Sequence, residues 1–169
     1  MKIEHEQGGH LMLLGKKRKV GRKVEDMSVG EKLKLTEKIE DKDLLLYLGL
    51  TNDGNPLYIQ HDFASQTVYE KPIVPTIMLT GIVTSAISKY LPGPGSHIVE
   101  QHLKFPKPVY HYATIDFLLQ VISVDVEKNL VEIEVLATNE AGETVIEGKI
   151  KSTPPRLENH LTSQSMDNF

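Results

Sequence analysis

One apolar helix followed by nothing but strand patterns is the feature that most restricts this chain. From about Pro75 to Leu91, the residues Leu79, Ile82, Val83, Ala86, Ile87 and Tyr90 recur at helical spacing. The other side carries Thr80, Thr84 and Ser88 with few charges, so the helix is expected to be largely buried. Pro75 suits a first helical position, and Pro92-Gly93-Pro94-Gly95 ends the segment. Downstream, Ile98–Phe105 precedes Pro106, Ala113–Val124 is a long β-rich run, and Val131, Ile133 and Val135 alternate with Glu132 and Glu134. Asn139-Glu140-Ala141-Gly142 turns the chain, and Thr144–Lys151 returns as the last strand. About four consecutive antiparallel strands can bury such a helix only by bending around it. The expected class is α+β, a bent antiparallel sheet wrapped around a central helix.

Upstream of the helix, Leu33–Ile39 alternates Leu33, Leu35 and Ile39 against Lys34, Glu37 and Lys38, which suits a strand. Asp41 is placed to cap a short helix through Leu50, with Leu44, Leu45 and Leu48 on one face. Asn52-Asp53-Gly54-Asn55-Pro56 is dense in turn formers, and Pro56 pushes Asn55 out of helical geometry. Asp53 is therefore expected on a loop just past a helix end, where a carboxylate can face a cleft. Asp62–Thr67 reads as a single helical turn.

Composition narrows the functional classes. A chain of 169 residues with 40% hydrophobic content can bury one sizeable core, so one domain is expected. Its bounds are read as 23–155, between a basic extension over 1–22 and a polar tail over 156–169. The extension carries Lys16-Lys17-Arg18-Lys19 and Arg22, a run that suits a solvated arm, an anionic partner or a phosphate-bearing ligand. The net charge of −4 argues against a general affinity for nucleic acid. Cysteine is absent, which excludes disulfides, thiolate metal sites and a thiol nucleophile. His5, His10, His97 and His160 show no metal-ligand spacing, and neither a metal nor a cofactor is expected. The longest apolar stretch falls short of a membrane span, and MKIEHEQGGH lacks the apolar core of a signal peptide. A cytoplasmic protein with no membrane partner is the expectation.

The segment Thr51–Val74, with Asp53, Asn55, Pro56 and Tyr58 in that order, resembles the active-site segment of the MaoC-like hydratases and dehydratases. Further blocks follow the family's order across Val24 to Pro154. They are Val24–Gly30, Leu91-Pro92-Gly93-Pro94-Gly95, Gln101-His102-Leu103-Lys104-Phe105, Pro108-Val109-Tyr110 and Asn139–Val145. The resemblance implies a hot-dog fold, a homodimer, and an acyl thioester such as an enoyl-CoA as substrate. It places the chain among lyases of fatty acid metabolism that need no cofactor. By the same resemblance Asp53 handles the reacting water, Asn55 assists it, and the Thr76 backbone N–H meets the thioester carbonyl. Three departures stand out. Tyr58 occupies the place of the family's histidine, Pro75-Thr76 stands where H-G-M is usual, and Tyr112-Ala113 replaces a G-D pair.

Hydration of an enoyl thioester needs a base for water, a proton for the α-carbon and a donor for the developing oxyanion. Tyr58, with an ordinary pKa of about 10, is a poor base near neutral pH but can hold water and donate a proton. His61, three residues on, could enter the site through a shifted loop, whereas His102 and His111 suit structural or rim positions. Two other activities stay open: an acyl-CoA-binding protein with weak or no turnover, and a thioesterase on the same fold.

Overall fold

Alternation along the late strands becomes the inner face of a sheet. The computed structural model describes residues 20–156. A single 3-10 turn at Val24–Asp26 leads into β1 (Lys32–Lys38), α1 (Asp41–Thr51), α2 (Pro56–Ile59), α3 (His61–Ala64) and α4 (Thr76–Tyr90). The strands β2 (His97–Lys104), β3 (Thr114–Asp125), β4 (Leu130–Thr138) and β5 (Thr144–Thr153) follow. They form a five-stranded sheet ordered β1-β3-β4-β5-β2 with antiparallel neighbours throughout. Strand β2 thus crosses to the far edge beside β5 instead of pairing with β3, its neighbour in sequence.

Every second residue of the central strands is buried. Ile115, Phe117, Leu119 and Val121 of β3, with Val131, Ile133, Val135 and Ala137 of β4, are at most 2% exposed. They share one apolar cluster with Leu79, Val83, Ala86 and Ile87 of α4. Each such aliphatic side chain contributes roughly 1.5–3 kcal/mol of transfer free energy. Only glycine fits at position 148. A Cβ there would lie 2.0 Å from the His102 carbonyl oxygen and 2.9 Å from Leu103 Cα on β2. That close approach fixes how tightly β2 closes on β5.

The structure corrects several local expectations. Glu40, not Asp41, caps α1: it is extended (φ −121°), and Asp43 at N3 accepts from the Glu40 N–H at 3.1 Å. This reciprocal arrangement is a capping box, so Asp41 becomes the first helical residue. Leu44 and Leu48 turn inward four residues apart, but Leu45 points a third of a turn away and is 67% exposed. Pro75 is a cap with ψ 131° and Thr76 is the first residue of α4. That helix buries one face only: Ile77 lies more than half exposed on the other, and Tyr90, its last residue, is more than half exposed at the helix end. The turn expected over Asp62–Thr67 begins one residue earlier and closes at Ala64, with single-turn bonds from Gln66 and Thr67 continuing it. Gly21 and Arg22, at the end of the expected extension, donate backbone bonds to Pro94 and Pro92 on the loop after α4. The basic run before Val20 and the tail after Arg156 lie outside the described residues.

Candidate active site

The site is built on the end of α1. Asn52 adopts the left-handed conformation (φ 54°) that commonly terminates helices, and its N–H reaches the Leu48 carbonyl at 2.9 Å. The chain then reverses through Asp53, whose N–H donates to Thr51 Oγ1 at 3.3 Å. Asn55 caps α2: its side-chain oxygen accepts the Leu57 N–H at 3.0 Å, with Pro56 in the first helical turn. The Asn55 N–H donates in turn to Asp53 Oδ1 at 3.3 Å. Two short-range polar residues thereby hold the whole loop, and Asn55 acts on the turn itself.

The second oxygen of Asp53 has a partner that sequence reasoning missed. Tyr47, on the last full turn of α1, donates its hydroxyl to Asp53 Oδ2 at 2.6 Å. That bond, and secondarily burial, raises the Tyr47 phenol above its ordinary value of 10.0. The Tyr47 ring meets Tyr58 edge-on, with centroids 6.5 Å apart and planes at 77°. Asp53 and Tyr47 thus form a hydrogen-bonded pair between a helix end and the short helix after it, with the Tyr58 ring packed against Tyr47. The signal was present in the sequence: a tyrosine on the last turns of a capped helix lies close enough to a carboxylate just past its end.

Thr76 stands apart from this cluster. It is exposed at the start of α4, where a helix leaves its first N–H groups without intrahelical partners. Among the described residues no hydrogen bond joins Thr76 to Asp53, Asn55 or Tyr58. The two regions are tied through backbone instead. The Ile73 N–H donates to the Leu57 carbonyl at 3.0 Å, and the Val74 N–H donates to that of Val109 at 2.7 Å. These bonds fix the approach to α4 against both α2 and the segment before β3.

A cavity of about 660 Å³ opens between α1, α2 and the turn Tyr110–Tyr112, and Tyr58 lines it. His61 and His111 line the same cavity. His111 Nδ1 lies 3.7 Å from Asp41 Oδ1, and its Nε2 is buried without a hydrogen-bond partner among the described residues. His102, by contrast, is exposed on edge strand β2 and pairs with Glu100 at 3.0 Å. No cluster of three or more histidine or acidic side chains suited to a metal occurs among the described residues.

Comparison with known proteins agrees with this arrangement of elements. The chain is 34% identical over 125 residues to an (R)-specific enoyl-CoA hydratase of Rhodospirillum rubrum, covering 74% of this chain and 86% of that protein. It is 25% identical over 134 residues to a 3-hydroxybutyryl-CoA dehydratase of Methylorubrum extorquens, covering 79% and 85%. Among solved structures, the unliganded R-hydratase PhaJ1 of Pseudomonas aeruginosa superposes with a TM-score of 0.74 at 27% identity, covering 81% of this chain and 88% of that one. The (R)-hydratase of Aeromonas caviae gives 0.73 at 25% identity, covering 77% and 98%. The fold is therefore the hot-dog fold expected from the sequence. Residues 23–143, which hold the capped loop, its carboxylate and the central helix, match the family described as MaoC like domain, and the chain belongs to it.

Proposed function

We propose that the chain is a hydratase/dehydratase of acyl thioesters, adding water to a trans-2-enoyl-CoA or removing it from the 3-hydroxyacyl-CoA. One observation carries the assignment of roles: Asp53 is held at both oxygens, by the Tyr47 hydroxyl and the Asn55 N–H, on the loop that also presents Tyr58. A carboxylate fixed in this way keeps lone pairs for one further donor, which is what a reacting water requires.

In the hydration direction Asp53 accepts a proton from that water while its oxygen bonds to the β-carbon. The π electrons move toward the thioester carbonyl, giving an enolate-like oxygen, which the Thr76 N–H and the N-terminal end of α4 stabilise. Tyr58 delivers a proton to the α-carbon and regains one from Asp53 through solvent, so the net change is H and OH across the double bond. Asn55 serves by holding the loop. The reverse sequence expels water.

Purified protein is assayed by loss of conjugated-thioester absorbance with short and medium trans-2-enoyl-CoA. Asp53→Ala should abolish the activity; unchanged turnover in that variant refutes the assignment. A second reading, an acyl-CoA-binding protein with little turnover, is favoured by phenols at both 47 and 58, since neither is a base near neutral pH. Calorimetry showing tight acyl-CoA binding without product selects it. The working unit is a homodimer: β1 and β2 leave open sheet edges, which soluble proteins cover or pair. No described helix is long and apolar enough to cross a membrane.

A further inference from the structure

The cavity beside Tyr58 has an uneven lining. Leu44, Leu45 and Leu48 of α1 form one wall, while Lys71, His61 and His111 bring nitrogen donors from other segments. One carboxylate, Asp41, also lines it, and each of its oxygens already lies beside a donor group. The Tyr112 hydroxyl donates to Asp41 Oδ2, and His111 Nδ1 faces Oδ1. Tyr112 makes this bond from a left-handed backbone (φ 66°), a conformation that favours glycine. Lys71 Nζ has no carboxylate partner among the described residues and rests 4.9 Å from the centre of the Tyr110 ring. An apolar wall facing an uncommitted cation is matched by a ligand with an apolar body and an anionic end.

We propose that this cavity is an anion-reading subsite for the thioester ligand, with Lys71 as the residue that holds the negative group. The inference rests on the thioester reading above, because Tyr58 is shared by the cavity and the Asp53 cluster. Two parts of such a ligand carry suitable charge: an ω-carboxylate on the acyl tail, or a phosphate of the carrier arm.

The test uses binding of saturated thioesters, which cannot be hydrated, so it is independent of turnover. Calorimetry gives Kd for wild type, Lys71→Met and Lys71→Arg with three ligands: a methyl-terminated acyl-CoA, the ω-carboxyacyl-CoA of equal length, and the methyl-terminated N-acetylcysteamine thioester. If the acyl tail carries the anion, Lys71→Met lowers the preference for the ω-carboxy ligand over the methyl-terminated one by about tenfold. If the carrier does, the variant lowers the preference for CoA over N-acetylcysteamine by a similar factor. In either case Lys71→Arg restores most of the preference. Both preferences staying within twofold of wild type in Lys71→Met overturns the proposal. A wild type that shows the Lys71-dependent preference yet hydrates no enoyl thioester removes the hydratase reading and leaves this subsite standing.

Discussion

Replacing Tyr47 by phenylalanine isolates one bond at the centre of the site. The substitution deletes the hydroxyl that donates to Asp53 Oδ2 at 2.6 Å and keeps the ring that meets Tyr58 edge-on. A hydrogen bond to an ionised acceptor contributes roughly 1.5–3 kcal/mol. Tyr47 and Asp53 are both partly exposed, so water replaces some of that contribution and the lower end applies. A loss of about 1.4 kcal/mol in transition-state stabilisation corresponds to about a tenfold fall in kcat/KM. Stability should fall less, with Tm lower by no more than about 4 °C, because the ring packing survives. The pH profile adds a second readout. The Tyr47 phenol titrates above its ordinary 10.0 in the folded protein, first because it donates to Asp53. The stabilisation is therefore complete below about pH 10 and is lost as pH rises through the raised value. Wild type should show a steeper alkaline decline beyond pH 10 than the phenylalanine variant, whose plateau is about tenfold lower. Rates are read from the enoyl-CoA absorbance at 25 °C across pH 6–11. Equal kcat/KM within twofold over that range would refute the view that Tyr47 positions Asp53.

Asn55→Ala removes the cap of α2 and should cost about 1 kcal/mol, seen as a Tm lower by roughly 2–4 °C, with reduced kcat as the Asp53 loop loosens. At Tyr58, phenylalanine should lower kcat by roughly 10²-fold if the phenol is the proton donor, whereas histidine should keep or raise it; equal rates for phenylalanine and wild type exclude the donor role. Gly148→Ala forces a methyl to within 2.0 Å of the His102 carbonyl, so β2 must shift from β5; calorimetric melting should show a loss of about 3 kcal/mol or more.

Most of the fold was legible because its signals are local and periodic. The alternation of Val131, Ile133 and Val135 and the spacing of Leu79, Val83, Ala86 and Ile87 gave the inner face of β4 and the buried stripe of α4 directly. What sequence could not give was the partner of each surface. Leu45, Ile77 and Tyr90 suit a buried position by type, but their exposure depends on what packs above them, which one chain's pattern does not record. The cap of α1 was misplaced by one residue because Glu40, Asp41 and Asp43 are all acidic candidates, and only backbone extension at Glu40 distinguishes them. At the site, Asp53 and Asn55 were readable since turn chemistry acts over two or three residues. Tyr47 was legible only as a tyrosine near the end of α1; its bond to Asp53 depends on where the helix ends and on a side-chain rotamer. His111 reaches the cavity from a segment fifty residues later, a juxtaposition that only the bridge between Ile73 and Tyr110 and its neighbours creates.

The cluster also explains how a site with two phenols and one carboxylate could divide its work. Near neutral pH a protonated phenol can donate a proton but not accept one, whereas an ionised carboxylate does the reverse. An imidazole can serve in both roles. Under the proposed mechanism, with tyrosines at 47 and 58, acceptance of the water proton falls on Asp53 alone and donation to carbon on Tyr58. The Tyr47 bond fixes that carboxylate in place. Fixing the base favours the geometry of attack, so losing the hydroxyl should slow turnover. Hydration and dehydration pass through the same transition state, so a better-held carboxylate raises kcat/KM of both by the same factor. The equilibrium between the two directions belongs to the substrates and is unaffected.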